Sequence, residues 1–181
     1  RGALLVGGMS YPLMIGRSVD FEEYEIIFRT WYPNRIDREI LMGIMSSMWD
    51  FAEPAPWLRH IFREPLAGTP AKSILYQVAR YDSQVPNIAS DIAVREMGIP
   101  LLTPSVREPW GIDPQPGPLD SGYVYYDLQV PAPPPGNDPA DEDNGTHGSQ
   151  RNLDATVQQL GAFWRTEGQV LNFCDGACDP E

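Results

Sequence analysis

The stretch Ile74-Leu75-Tyr76-Gln77-Val78-Ala79, continued by Arg80-Tyr81-Asp82-Ser83-Gln84-Val85-Pro86-Asn87, decides how this chain is read. Its first half is a short, apolar run rich in β-formers, as expected of a strand buried on both faces of a parallel sheet. Asp82 stands just past that strand. Asn87 is suited to cap a following helix whose apolar face is Ile88, Ala89, Ile92, Ala93 and Met97, with Gly98 as its stop before Pro100. Strand, loop, helix is the unit of a doubly wound sheet, in which ligands bind beyond the carboxyl ends of the strands. A carboxylate at that position is therefore a candidate for chemistry, although an Asp there also serves as a plain turn former.

Working outward, Gly122-Tyr123-Val124-Tyr125-Tyr126-Asp127-Leu128-Gln129-Val130 predicts another strand, ended by Pro131. Residues 100 to 121 between them are rich in Pro and Gly. Pro131 to Gly145 is an acidic, proline-rich loop too poor in apolar residues to fold alone. His147 emerges from it in Thr146-His147-Gly148. Leu153, Val157, Leu160, Phe163 and Trp164 then predict an amphipathic helix covering one sheet face. Gly168 ends that helix before an extended run from Gln169 to Phe173.

Upstream, Gly2 to Gly8 reads as an interior core strand at the very start of the chain, which leads us to expect further strands encoded before Arg1. Between it and residue 70 the expected elements are helical, over Glu22 to Thr30, over Pro56 to Phe62, and behind an Asp37 cap, where Ile40, Leu41, Ile44, Met45, Met48 and Trp49 recur at helical spacing. Met42, Met45, Met48 and Trp49 suit either an adaptable apolar pocket or ordinary helix packing.

Composition narrows the function. Over 181 residues, 42% hydrophobic and 10% aromatic content predicts a folded domain, and a net charge of −12 without basic runs argues against nucleic acid and anionic membrane partners. No stretch approaches the roughly 18 apolar residues of a membrane span. The two cysteines, Cys174 and Cys178, flank a Gly-containing segment suited to a small disulfide loop, and hence to an exported protein. Reduced thiols are the alternative. A metal site there would rest on two thiolates with Asp175 and Asp179, an incomplete soft-ligand set, so no metal or cofactor is expected.

Asp82-Ser83-Gln84-Val85-Pro86 resembles the acid loop of α/β-hydrolases, and Gly145-Thr146-His147-Gly148 resembles their histidine loop. Gly7-Gly8-Met9-Ser10-Tyr11-Pro12 through Phe21 resembles a passage that follows the strand after the nucleophile elbow in bacterial hydrolase-like proteins. In that superfamily the triad runs Ser, Asp or Glu, then His along the chain. The resemblance implies the C-terminal part of an α/β-hydrolase-type, mostly parallel sheet with flanking helices: residues 1–9 a core strand, 10–70 a helical lid insertion, and 71–181 the remaining core. It implies a carboxylic ester hydrolase of esterase or lipase type, with Asp82 and His147 as triad members and a small ester or lipid as substrate. The nucleophile is then expected upstream of residue 1, which makes the preceding segment the chain's partner and leaves this chain alone silent. The other reading is a non-catalytic binding or structural subunit derived from a hydrolase. Ser10 matches Gly-x-Ser but lacks the second Gly of the elbow, and no strand is legible between it and the one ending at Asp82. His60, the other histidine, reads as structural.

Overall fold

The computed structural model describes residues 1–179. In chain order it contains β1 (Gly2–Leu5), α1 (Tyr11–Ile15), α2 (Glu22–Trp31), α3 (Arg35–Trp49), α4 (Arg59–Phe62), β2 (Ile74–Ala79), α5 (Asn87–Met97), β3 (Leu101–Thr103), β4 (Pro114–Pro116), β5 (Gly122–Tyr126), α6 (Thr146–Gln150) and α7 (Asp154–Phe163). The five strands form one sheet in the order β1-β2-β5-β3-β4, and every strand pair is parallel. This is the helix-flanked parallel sheet that the strand and helix alternation predicts.

The central strands carry the core because both their faces are covered. Tyr76, Val78, Tyr123 and Tyr125 pack with Leu58, Ala93, Val94 and Met97 on the side of α4 and α5. Their neighbours Leu75, Val124 and Tyr126 pack with Phe163 and Val170 on the side of α7. Period-two alternation therefore feeds two apolar layers, not one apolar and one wet face.

Several local expectations need correction. β1 ends at Leu5, short of the expected Gly8, where Val6 takes a positive φ of 47°, and among the described residues it pairs only with β2. Tyr11–Ile15 is an unforeseen short helix. The cap of α3 is Asn34, whose side chain accepts from the Ile36 amide at 3.0 Å, so the helix starts before Asp37. β5 ends at Tyr126, four residues short of Val130. Residues 100 to 121 hold two strands, β3 and β4. β4 contains two prolines and occupies the other edge, where a missing N–H is harmless. The extended run after Gly168 makes one antiparallel bridge, Val170 with Leu119.

α7 is helical as predicted, and Leu153, Leu160 and Phe163 pack toward the sheet as expected, but other positions of its face differ. Thr156 and Gln159 are buried while Val157 and Trp164 are exposed. Gln159 faces inward because Gln77, on the strand beneath, donates to its Oε1 at 2.7 Å, and Tyr126 donates to the same oxygen at 3.0 Å. Cys174 and Cys178 are disulfide-bonded, with Cα atoms 5.2 Å apart. Cys178 is buried against the α7-side core, and its carbonyl accepts from the Asp127 amide just past β5. No helix among the described residues is long and apolar enough to cross a membrane.

Candidate functional site

β2 and β5 are adjacent and parallel, so the loops that leave their carboxyl ends emerge at the same sheet edge. The loop after β2 carries Asp82, and the long loop after β5 returns to that edge to deliver His147 in the first turn of α6. His147 Nδ1 and Asp82 Oδ2 are 2.9 Å apart, across 65 residues of sequence. The Asp82 side chain is 1% exposed and that of His147 17%. A buried carboxylate therefore meets an imidazole with a solvent-reachable edge.

The carboxylate is held from both sides. Its Oδ1 accepts from the backbone amides of Gln84 at 2.9 Å and Val85 at 3.0 Å, which leaves Oδ2 for the imidazole. Burial raises the pKa of Asp82 above the ordinary Asp value, and the amide of Val85, the His147 charge and the amide of Gln84 oppose that shift. With Nδ1–H donated to Asp82, the imidazole is fixed in the tautomer whose Nε2 is free to accept a proton. Nε2 has no hydrogen-bond partner among the described residues. The pair is arranged as a base oriented by an acid, and the chemistry open to it is proton abstraction from a hydroxyl or a water.

Around this pair the two loops are stitched together by residues that the sequence does not single out. Ser83 Oγ donates to Asp143 Oδ1 at 2.8 Å, and Gln84 Nε2 donates to Asp143 Oδ2 at 3.0 Å. The Asp143 carboxylate is held below its usual range, chiefly by the Gly145 amide and then by Ser83. Asn144 Nδ2 donates to the Tyr81 carbonyl at 2.7 Å. Asn87, expected as a helix cap, instead accepts from the Tyr81 amide at 2.8 Å and donates to the Ala79 carbonyl at 2.7 Å, bracing the end of β2. An Asn just ahead of a helix start was the one legible signal for Asn144.

The remaining candidates lie elsewhere. His60 Nδ1 lies 2.7 Å from the Glu64 carbonyl and meets no carboxylate. Asp138, on the loop that leads to His147, pairs with Arg29 and Arg35. Ser10 sits at the strand-to-helix turn before α1 with φ 72°, a strained feature that nucleophile elbows share. Its amide and that of Tyr11 donate to Glu53 at 2.8 and 2.9 Å, and no hydrogen bond joins it to His147. Only helices separate β1 from β2, as the sequence suggests. Among the described residues no group of three His, Cys, Asp or Glu side chains is placed to hold a metal ion.

One concavity adjoins Asp82 and another lies among the helices before β2. A cleft of about 240 Å³ is walled by Tyr81, Asp82, Ser83, Arg17, Arg107 and Pro133. A larger groove of about 770 Å³ lies in the helical segment between β1 and β2, and its walls include Ile15, Phe21, Trp31, Met42, Met45 and Trp49. Met48, by contrast, is 68% exposed. The segment between α1 and α2 touches the acid loop, where the Val19 amide donates to the Ser83 carbonyl at 3.0 Å. Gly8 lies equally close to the acid loop, since a Cβ there would meet Val85 Cγ1 at 2.4 Å.

The fold and site define an α/β protein with an all-parallel sheet and a buried Asp–His pair at the edge where its strands end. Comparison with protein-family models, curated proteins and solved structures finds no match to this chain.

Proposed function

We propose that this chain supplies the acid and the base of a serine-hydrolase-type site acting on carboxylic esters, with Asp82 orienting His147 and His147 Nε2 taking the proton of a hydroxyl nucleophile. The observation that carries this reading is the 2.9 Å contact between His147 Nδ1 and a carboxylate whose other oxygen is already committed to two backbone amides. The chain order, acid before histidine, agrees with that of α/β-hydrolases. The nucleophile in this reading belongs to a segment outside these 181 residues, because His147 has no serine or cysteine partner among those described. The unpaired edge of β1 offers such a segment a sheet position.

The uncharged, aromatic and methionine-rich groove between β1 and β2 suits the acyl part of an ester or lipid, and in this reading 10–70 is the lid. The Cys174–Cys178 bond favours an exported protein.

Ser10 carries the second reading, in which this chain holds its own nucleophile, because it places a serine hydroxyl on a left-handed backbone at a strand-to-helix turn. One experiment separates the two. The full-length gene product that contains this chain is treated with a fluorophosphonate probe, the labelled serine is located by peptide mass spectrometry, and p-nitrophenyl ester turnover is measured. We expect a labelled serine outside residues 1–181 and loss of turnover in His147→Gln. Labelling at Ser10 moves the site to the second reading. Turnover unaffected by His147→Gln removes the hydrolase reading.

A further inference from the structure

We infer that Asn144 is a positioning residue for the Asp82–His147 pair, one side-chain amide gripping the residue immediately before each partner. The inference rests on the acid–base reading of that pair. Asn144 Nδ2 donates to the carbonyl of Tyr81, the residue before Asp82, at 2.7 Å. Its Oδ1 accepts from the amide of Thr146, the residue before His147, at 3.2 Å, and from the Thr146 hydroxyl at 2.8 Å. The same planar group therefore fixes where both loops enter the pair. Its backbone amide adds a third tie, donating to Ser83 Oγ at 3.1 Å.

The backbone on both sides requires such a clamp. Tyr81 has φ 61°, a left-handed conformation that a bulky residue adopts only when its surroundings hold it there. Both peptide groups of Tyr81 are held by asparagine side chains, the amide by Asn87 and the carbonyl by Asn144. On the other loop Gly145 turns the chain with φ 73°, and Thr146 is buried directly behind it. With Tyr81 and Thr146 tied to one amide, the Asp82 Oδ2 to His147 Nδ1 contact across 65 residues has a fixed span. Without the tie, the acidic proline-rich loop ahead of Asn144 has little apolar burial to hold α6 in register.

The competing role is local: an Asn two residues ahead of Thr146 that merely caps α6. Asn144→Asp separates the two, because a carboxylate retains the acceptor toward Thr146 and suits a helix start but sets an acceptor against the Tyr81 carbonyl. The measurement is the low-field proton resonance of His147 Nδ1–H shared with Asp82, with the ring ¹⁵N shifts that report the tautomer, in the isotopically labelled full chain beside its thermal melt.

The parent is expected to show the resonance and a single tautomer, and His147→Gln to lose the resonance. In Asn144→Asp and Asn144→Ala the resonance should disappear and the ring become a mixture of tautomers while the melt stays cooperative. In Ser83→Ala, where Asn144 loses its contacts with Ser83 Oγ but keeps those with Tyr81 and Thr146, the resonance should persist. An Asn144→Asp protein that keeps the resonance and the single tautomer overturns the inference and leaves Asn144 a helix cap. If Asn144→Asp fails to melt cooperatively, Asn144→Ser, too short to reach Tyr81 yet able to accept from Thr146, is judged by the same criteria. A parent without the resonance overturns the acid–base reading itself, a result distinct from a parent that shows it and an Asn144 variant that keeps it.

Discussion

Replacing Asp82 by asparagine tests the site at the point where geometry and electrostatics give opposite signs for stability and function. The amide oxygen of the introduced side chain can still accept from the backbone amides of Gln84 and Val85, which now sit 2.9 and 3.0 Å from Asp82 Oδ1. Its NH₂ then faces His147 Nδ1 and is a donor, so the imidazole must turn its lone pair to that nitrogen and carry its proton on Nε2. A base protonated on Nε2 cannot take a proton there. The expected loss of ester turnover in the full-length protein is on the order of 10⁴-fold, the scale seen when a triad aspartate is made an amide, or about 5 kcal/mol of transition-state stabilisation. Stability should change by no more than about 1 kcal/mol at pH below the raised Asp82 pKa, because there an uncharged amide replaces an uncharged carboxyl.

The pH dependence follows from the direction of the Asp82 shift. Burial raises its folded pKa above the ordinary value of 3.8, so the carboxyl contributes stability that is fully present below that value and lost as pH rises through the raised one. An asparagine does not titrate. Asp82→Asn should therefore gain on the parent over that interval and keep its advantage above it. Denaturant melts at several pH values, ring ¹⁵N shifts and ester turnover are the assays. Turnover within about tenfold of the parent, which is only ~1.4 kcal/mol of barrier, or an unchanged tautomer in Asp82→Asn, would refute the reasoning.

Two further outcomes are expected. The Cys174–Cys178 bridge closes a short loop, its cysteines four positions apart, and in the chain-entropy picture should contribute about 2 kcal/mol; thiol titration of the unfolded, unreduced protein should find no free thiol, and two reactive thiols would contradict the bond. Asp91 accepts from the hydroxyls of Tyr123 at 2.9 Å and Tyr125 at 2.6 Å and pairs with Arg107 at 2.9 Å; Asp91→Ala should destabilise by roughly 3 kcal/mol in a denaturant titration, since it removes the acceptor of two buried hydroxyls and the anionic partner of a half-buried cation, leaving Arg107 only its hydrogen bond to the Tyr125 hydroxyl.

Much of the fold was legible before any coordinates, for physical reasons that act locally. Ile74–Ala79 is short, apolar and rich in β-formers, and it is followed by Asp82 and an amphipathic helix with a Gly stop; each signal is carried by neighbours in sequence, and each is present in the structure. The same holds for α2, for α7 and for the close cysteine pair. The resemblance to hydrolase loops pointed to Asp82 and His147, and these are the residues the tertiary structure brings to 2.9 Å.

What only the tertiary structure decided are the choices in which a side chain has more than one partner within reach. Asn87 braces the end of β2 instead of capping α5, because the left-handed turn at Tyr81 brings an amide to it. Gln159 and Thr156 face the sheet while Val157 and Trp164 face solvent, since Gln77 and Tyr126 wait on the strands beneath; hydropathy periodicity records the preference of each side chain for water but not the partner stationed opposite it. β3 and β4 pair within a segment of prolines and glycines whose own β propensity is poor, because the open edge of β5 supplies the hydrogen bonds for β3, and β3 in turn supplies them for β4. Asn144 belongs to the same class: its sequence suggests a turn, and it becomes a clamp between Tyr81 and Thr146 only because the sheet places two loops, distant in sequence, at one edge.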